Sequence, residues 1–176
     1  MQTKNFGSGD AYPKLIAVIG TNGTGKTTFI HDVYADEFKR VNPSRTVYFV
    51  DVYGNLKNKR DDFVYLDDFS FDIWSKMRKC LVVVDDMRMF FNRNDEPEMR
   101  RMFIQRRHAE VDTVLVYHSF ADVHRIVFRY ATNYYIFRTN DRYDEVKKKI
   151  GNEKITREVV RKSNMLEKYF FIKVKV

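Results

Sequence analysis

The sequence predicts an α/β protein, a three-layer sandwich in which helices cover both faces of a mostly parallel central sheet. Short apolar or β-branched segments alternate along the chain with longer segments of helical pattern. Parallel strands need crossover helices between them, and burial on both faces makes such strands apolar throughout. The glycines support this prediction, because three of the seven lie at positions 20, 23 and 25 and indicate one site that depends on backbone shape.

Seven segments are predicted as strands. The apolar run KLIAVI comes first, directly before the glycines. The run TVYFV contains the β-branched and aromatic residues that strands favour, and LVVV indicates a strand buried on both faces. In chain order the predicted strands are 14–19, 46–50, 63–66, 81–84, 112–117, 134–137 and 169–176, the last of them at a sheet edge.

Six helices are predicted between and after these strands, at 26–40, 73–79, 97–108, 121–129, 141–150 and 155–163. The first begins directly after the glycines. Ser70 or Asp72 is suited to cap the second helix, and Pro97 is suited to the first turn of the third. A chain of 176 residues is long enough for one domain with a sizeable core. We therefore expect a single domain over 1–176, with a core at 14–140 and an extension of helices and a strand at 141–176.

The composition indicates ordinary globular material, with 44% hydrophobic and 32% charged residues. The longest apolar runs are far shorter than the roughly 20 residues that cross a bilayer, and the N-terminus shows no signal-peptide pattern. The single cysteine, Cys80, excludes an internal disulfide and offers no metal cluster. We expect no membrane span and a cytoplasmic location.

The net charge of +8 is unevenly distributed. Residues 139–176 carry 11 Lys and Arg against 6 Asp and Glu, a net of +5, whereas residues 1–138 carry 21 against 18, a net of +3. Such a balance permits contact with nucleic-acid phosphates and equally fits a solvated surface. The lysine run 147–149 has the same two interpretations.

Residues 20 to 28 fit the pattern G-x-x-x-x-G-K-[ST] between a predicted strand and a predicted helix. Glycines in this pattern let successive N–H groups point at phosphate oxygens, and the helix N-terminus adds its positive dipole end. Lys26 supplies a charge to the β- and γ-phosphates, and Thr27 supplies a hydroxyl to Mg²⁺. The sequence therefore predicts a P-loop NTPase that binds ATP or GTP with Mg²⁺. The predicted nucleotide-binding residues are Gly20, Thr21, Asn22, Gly23, Thr24, Gly25, Lys26, Thr27 and Thr28.

Two acids follow the apolar run at 81–84, at the carboxyl end of its predicted strand. Ligands of open α/β sheets bind at those strand ends. Asp85 is predicted to hold Mg²⁺, commonly through water, because a P-loop needs a partner carboxylate for its metal. Asp86 is predicted to polarise the attacking water as general base.

The order of these motifs resembles the HerA/FtsK superfamily of P-loop ATPases, and within it the small viral genome-packaging ATPases. The run Asp51-Val52-Tyr53-Gly54 looks like the D-x-x-G signature after the second strand, and Asp85-Asp86 is similar to the doubled acid of packaging members. Arg106-Arg107-His108 precedes an apolar strand followed by His118, a position where packaging ATPases usually carry Gln. The resemblance covers about residues 14–140.

This resemblance implies a RecA-like fold and a ring-forming ATPase that uses ATP and Mg²⁺ to translocate DNA, most simply double-stranded. It further implies a pentameric or hexameric homo-oligomer in the host cytoplasm, with a viral portal or capsid vertex as a possible partner. An arginine, Arg107 or Arg106, would reach into the neighbouring subunit's site. His118 would face the phosphates.

Two other functions fit a P-loop near the N-terminus. A small-substrate kinase would need an arginine-rich lid, and the strand at 112–117 follows residues 88–107 too closely for one. A nucleotide-gated phage assembly protein, of the kind that resembles filamentous-phage morphogenesis factors, usually carries a transmembrane segment.

Overall fold

The computed structural model describes residues 13–52, 54, 56, 58–91, 93–150, 153–164 and 171–175. Seven strands lie in this part of the chain, and each coincides closely with a predicted one. They are β1 (Leu15–Ile19), β2 (Thr46–Val50), β3 (Phe63–Leu66), β4 (Cys80–Val84), β5 (Val111–Tyr117), β6 (Asn133–Phe137) and β7 (Phe171–Lys175). The remaining residues of the predicted last strand, 169, 170 and 176, lie outside the described residues.

All seven strands form one sheet in the order β3-β2-β4-β5-β1-β6-β7. The central strand β1 lies between two strands from far along the chain, with Leu15 opposite Thr113 on β5 and Ile16 opposite Asn133 on β6. Every neighbouring pair is parallel except β6 and β7, which are antiparallel. The predicted mostly parallel sheet, with the last strand at its edge, is confirmed.

The described helices are α1 (Lys26–Thr28), α2 (Ala35–Val41), α3 (Phe71–Ser75), α4 (Glu96–Ala109), α5 (Arg125–Tyr130), α6 (Tyr143–Ile150) and α7 (Glu153–Asn164). A π-helical stretch, Phe29–Tyr34, joins α1 to α2, so that residues 26–41 form one continuous helix, the P-loop helix. Within that stretch His31 is buried, and its Nε2 lies 2.8 Å from the hydroxyl of Tyr65 on β3. This contact anchors the P-loop helix to the sheet edge.

The two faces of the sheet are covered unequally. On β1, Ile16 and Val18 face the P-loop helix, which contributes Ile30 and Tyr34 to the smaller of the two cores. The alternate β1 residues face the other side, where the larger core contains side chains from five helices. Those side chains are Trp74 of α3, Met99, Met102 and Phe103 of α4, Ile126 and Val127 of α5, Val146 of α6 and Val159 of α7. The predicted three-layer sandwich is therefore confirmed.

Two helices differ from their predicted positions. The segment predicted as a helix at 73–79 is helical at Phe71–Ser75 instead, because the Ser70 hydroxyl accepts the N–H of Ile73 and begins the helix earlier. The helix predicted at 121–129 begins only at Arg125. The four residues before it belong to a turn that is held by side-chain hydrogen bonds described below.

Within the described part of the chain, every helix is too short or too polar to cross a membrane.

Candidate nucleotide-binding site

The P-loop is attached at the carboxyl ends of two strands that flank β1. The N–H of Gly20 donates to the carbonyl of Tyr117 at the end of β5 (3.1 Å). The N–H of Thr21 donates to the carbonyl of Arg138, directly after β6 (2.9 Å). These bonds place the loop at the edge of the sheet where α/β proteins bind ligands.

The glycines in the loop serve two different geometric needs. A Cβ atom at Gly20 would lie only 2.6 Å from the Cβ of Phe137, so no larger residue fits against β6 there. Gly25 has a φ of 91°, a left-handed conformation at the start of α1 that side chains disfavour. The loop's shape is therefore fixed by close packing at its beginning and by backbone conformation at its end.

The Lys26 side chain is buried inside this loop. Its ammonium group donates to the carbonyls of Gly20 (2.6 Å) and Thr21 (2.9 Å). Burial lowers the pKa of Lys26 to about 8, although the carboxylates of Asp85 and Asp86 oppose this shift. A polyphosphate bound in the loop would replace lost hydration and stabilise the charged form. Of the other loop residues, Thr24 is buried, whereas Asn22, Gly23 and Thr28 are exposed.

The two residues predicted to hold a metal lie together. The Thr27 hydroxyl donates to Oδ2 of Asp85, 3.0 Å away, across the gap between the P-loop helix and the end of β4. Burial raises the pKa of Asp85, an effect that the Thr27 hydrogen bond and nearby Lys26 oppose. A hydroxyl and a carboxylate oxygen are ligands suited to Mg²⁺. Among the described residues, no group of three His, Cys, Asp or Glu side chains forms a metal cage, so a cation here would also need phosphate oxygens and water.

Asp86 and His118 face each other beside this pair. Nε2 of His118 lies 3.6 Å from Oδ2 of Asp86, which is longer than a hydrogen bond and leaves the two groups able to share a water or a phosphate oxygen. Nδ1 of His118 is buried and has no hydrogen-bond partner among the described residues. Asp86 has φ 55° and ψ 62°, a left-handed backbone that is uncommon outside glycine. The pairing of these two side chains was not predicted.

The sequence analysis also missed the network behind His118. The Ser119 hydroxyl donates to the Asp122 carboxylate (2.7 Å), and the N–H of Asp122 donates back to the Ser119 oxygen (3.3 Å). Arg88, in the turn after Asp86, bonds the same carboxylate (2.7 Å). This network joins the turn that contains Asp86 and Arg88 to the turn after β5. We name the latter, residues 118–124, the sensor turn. The spacing Ser-x-x-Asp is the signal that could have revealed it, because it is typical of such reciprocal turns.

Asp51 lies close to the metal-side acid from the neighbouring strand. It follows β2, its N–H donates to the Leu66 carbonyl (2.9 Å), and its Oδ2 accepts the N–H of Leu56 (3.2 Å). Its negative charge contributes to the raised pKa of Asp85. Tyr53, within the D-x-x-G run, lies outside the described residues.

The two candidate arginines occupy different environments at the end of α4. Arg106 is buried, and its guanidinium donates to the carbonyls of Phe103 and Tyr130 of its own chain. Burial lowers the pKa of Arg106 to about 10. This placement argues against Arg106 as a residue that reaches another subunit, because its side chain is buried and two of its nitrogens bind carbonyls of its own chain. Arg107 is exposed, so its role in a neighbouring subunit's site stays a prediction.

Solved structures of P-loop proteins share this architecture, whereas no protein-family model and no curated protein matches the sequence. The genome-packaging NTPase B204 from Sulfolobus turreted icosahedral virus 2, in complex with ATP-γS, superposes with a TM-score of 0.73 at 18% identity, covering 93% of this chain and 92% of that one. The N-terminal domain of zonular occludens toxin from Neisseria meningitidis gives 0.55 at 18% identity, over 74% and 79% of the chains. EccC ATPases 2 and 3 of Thermomonospora curvata give 0.50 at 14% identity, over 76% of this chain and 31% of that one.

At these identities the similarity shows the fold. The match to B204 extends over nearly the whole of both chains. The chain therefore has the P-loop NTPase fold that B204 also has, and the predicted fold class is confirmed.

Proposed function

We propose that this chain is the ATP-hydrolysing subunit of a DNA-translocating motor, and that it packages a viral genome. The observation that carries the proposal is the Thr27–Asp85 hydrogen bond beside the buried Lys26, on a fold shared with the genome-packaging NTPase B204. That neighbour was solved with ATP-γS, AMP and AMPPCP, which favours ATP as the nucleotide.

The P-loop residues bind and orient the nucleotide. Backbone N–H groups of residues 22–28 would surround the β- and γ-phosphates, and Lys26 would move its two hydrogen bonds from loop carbonyls to phosphate oxygens. Thr27 and Asp85 are the residues that would hold Mg²⁺, which when bound neutralises charge on the phosphates. Because Asp85 and Lys26 are buried, these charges act with little screening by solvent.

Asp86 is assigned the role of general base. It would accept a proton from a water molecule as the water oxygen bonds to the γ-phosphorus and the bond to the β-phosphate oxygen breaks, giving ADP and phosphate. His118, within 3.6 Å of Asp86, would orient that water or a γ-phosphate oxygen with one ring nitrogen. This arrangement links the state of the γ-phosphate to the sensor turn.

Rings of five or six subunits would complete the site. The described residues that contact Asp85 and Asp86 include no arginine, so the positive charge that stabilises phosphoryl transfer would come from Arg107 of a neighbouring subunit. Double-stranded DNA is the proposed polymer, a viral portal or capsid vertex the proposed docking partner, and host cytoplasm the proposed location.

Product analysis with γ-labelled ATP tests the proposed activity. We expect labelled free phosphate, formed faster in the presence of double-stranded DNA, and no label on any nucleoside or nucleotide acceptor. Lys26→Ala serves as the control and should abolish nucleotide binding or turnover. Transfer of the label to a small acceptor would support a kinase and contradict the motor.

A further inference from the structure

The helices α6 and α7 form an exposed basic surface outside the nucleotide site. Among the described side chains of these helices, four cations are exposed, and we call them the basic face: Lys147, Lys148, Arg157 and Arg161. Among the described side chains of the same helices, the exposed acids are Asp144 and Glu145, both in the first turn of α6. Both acids lie within one helical turn of Lys147 and Lys148, at the N-terminal end of α6.

Helix electrostatics explain only part of this arrangement. Cations in the last turn of α6 complement the helix dipole, which accounts for Lys147 and Lys148. Arg157 lies in the second turn of α7, where the dipole gives it no such stabilisation, and Arg161 follows one turn later on the same side. The helix dipole therefore does not account for the two arginines of α7.

The basic face is continuous across the two helices. Lys147 Nζ and the guanidinium carbon of Arg157 each lie 5.8 Å from the centre of the Tyr143 ring. One cation from each helix thus approaches the same aromatic ring, and Arg161 extends the row along α7. A row of exposed cations suits a polyanion whose charges recur along its length.

Hydrogen bonds join this helix pair to the nucleotide site. Lys149 of α6 donates to the Val123 carbonyl of the sensor turn (2.7 Å), and Asp141, just before α6, accepts the N–H of Phe120 in the same turn (3.1 Å). The hydroxyls of Ser163 on α7 and Thr139 lie 3.2 Å apart, next to the Arg138 carbonyl that holds the P-loop. A movement of His118 would therefore reach α6 through the hydrogen bonds of the sensor turn.

We propose that the basic face is the surface on which the nucleic-acid backbone binds, and that Lys149 transmits nucleotide state to it through the sensor turn; this inference rests on the proposed function. A membrane surface fits less well. Of the described aliphatic side chains in these helices, Val146 and Val159 are buried, and Ile150 and Val160 are half-buried against the same core rather than exposed between the cations.

Binding of labelled double-stranded DNA to the full chain with ATP-γS and magnesium tests the surface. The test variant is Lys147→Gln/Arg157→Gln/Arg161→Gln. A matched control, Lys76→Gln/Arg78→Gln/Arg129→Gln, removes the same charge from exposed side chains outside α6 and α7. Fluorescence anisotropy between 50 and 200 mM salt, the range over which phosphate contacts lose affinity, gives both the Kd and its salt dependence. Thermal unfolding checks that both variants are folded.

We expect the test variant to lose at least tenfold in affinity, with a salt slope lower by up to about 2.7, since each phosphate contact contributes about 0.9. The control should stay within about threefold of the wild type. Equal losses in both variants, or an unchanged test variant beside a wild type that binds DNA, would overturn the inference while leaving the motor intact. A wild type that hydrolyses ATP yet binds no double-stranded DNA, single-stranded DNA or RNA would end both proposals. Equally tight binding of polyglutamate would point to an acidic protein and also overturn the inference.

Lys149→Met tests the transmission step separately. We expect DNA affinity within about threefold of the wild type, while the increase in ATP turnover caused by DNA falls to near onefold and turnover without DNA is unchanged. An effect on folding alone would lower turnover with and without DNA together. Full DNA stimulation in Lys149→Met would overturn the assignment of Lys149.

Discussion

Asp86 combines its assigned role as general base with a backbone conformation that most residues avoid. Its left-handed φ and ψ cost roughly 1–2 kcal/mol for a residue with a side chain, and Asp and Asn tolerate this conformation best. Asp86→Asn should therefore keep the turn while removing the carboxylate. We expect unchanged binding of ATP-γS and a loss of about 10²–10⁴ in single-turnover hydrolysis, the usual contribution of a general base.

Asp86→Gly is the matched control for that prediction. Glycine removes the backbone strain, so the free energy of unfolding should rise by about 1 kcal/mol while hydrolysis is lost to the same degree. Denaturant titration measures the first effect and phosphate release the second. Normal hydrolysis in either variant would remove Asp86 from the mechanism.

The rate at which thiol reagents label Cys80 measures how readily β4 opens in the central sheet. It is the single cysteine, lies buried on β4, and burial raises its pKa to about 12 from a usual value of 9.0. The reactive thiolate is therefore rare in the folded protein, and thiol reagents should label Cys80 only when β4 opens. We expect labelling at pH 8 to be slow without denaturant and complete within seconds in it. Fast labelling of the folded chain would contradict this burial.

The raised pKa of Cys80 also makes the free energy of unfolding depend on pH in a defined direction. Unfolding releases a thiol that ionises near pH 9, so the contribution of Cys80 to the free energy of unfolding is present below pH 9 and lost as the pH rises from 9.0 towards about 12. Denaturant titrations of the wild type and Cys80→Ala across this range isolate the contribution, because other groups titrate in both proteins. A difference in unfolding free energy that stays constant with pH would contradict the shift.

At the scale of the elements, α4 ends in two adjacent arginines with separable roles. Arg106→Ala removes donors from one buried and one partly buried carbonyl and leaves a cavity, so we expect a loss of about 2–4 kcal/mol in the free energy of unfolding. Arg107→Ala should change stability by less than about 0.5 kcal/mol because the side chain is exposed, yet lower the turnover of the assembled ring by about 10³. Denaturation and ATPase assays distinguish the two effects. Normal turnover in Arg107→Ala would contradict a role in a neighbouring site.

The strands could be predicted closely because their signal is local. Parallel strands buried on both faces are runs of apolar residues, and β1 and β4 show this without interruption. The helix ends were predicted less closely, because they depend on side-chain hydrogen bonds for which the sequence offers more than one candidate residue. Ser70 and Asp72 were equal candidates to cap α3, and in the structure the Ser70 hydroxyl accepts the N–H of Ile73 while Trp74 of the same helix is buried in the core.

The candidate site likewise contains residues that could be predicted from the sequence and contacts that could not. Residues 20–28 and Asp85 were predicted because a continuous motif fixes their geometry. The burial of Arg106 beneath Tyr130, the approach of His118 to Asp86 and the Arg88–Asp122 bond join segments about 24 to 34 residues apart. Such contacts depend on how α4, α5 and the sensor turn pack, which no local pattern in one sequence reveals.

At the scale of the whole molecule, the proposed ring makes activity depend on subunit contacts. Specific ATPase activity should rise with protein concentration and with DNA. A sharper measurement mixes two inactive variants, Lys26→Ala with an intact Arg107 and Arg107→Ala with an intact P-loop. Mixed rings would contain interfaces with both groups, so we expect the mixture to recover activity that neither variant has alone. Activity independent of concentration, or no recovery on mixing, would count against a residue supplied by the neighbour.

The central position of β1 constrains the order in which the chain can fold during synthesis. Its two neighbours, β5 and β6, begin at residues 111 and 133, and the P-loop is held by the carbonyls of Tyr117 and Arg138. While a ribosome is still making those segments, β1 is an apolar run without its neighbouring strands. The two hydrogen bonds that hold the P-loop cannot yet form. ATP therefore cannot assist folding until residue 138 has left the exit tunnel. Before then β1 is a segment that chaperones would be expected to hold.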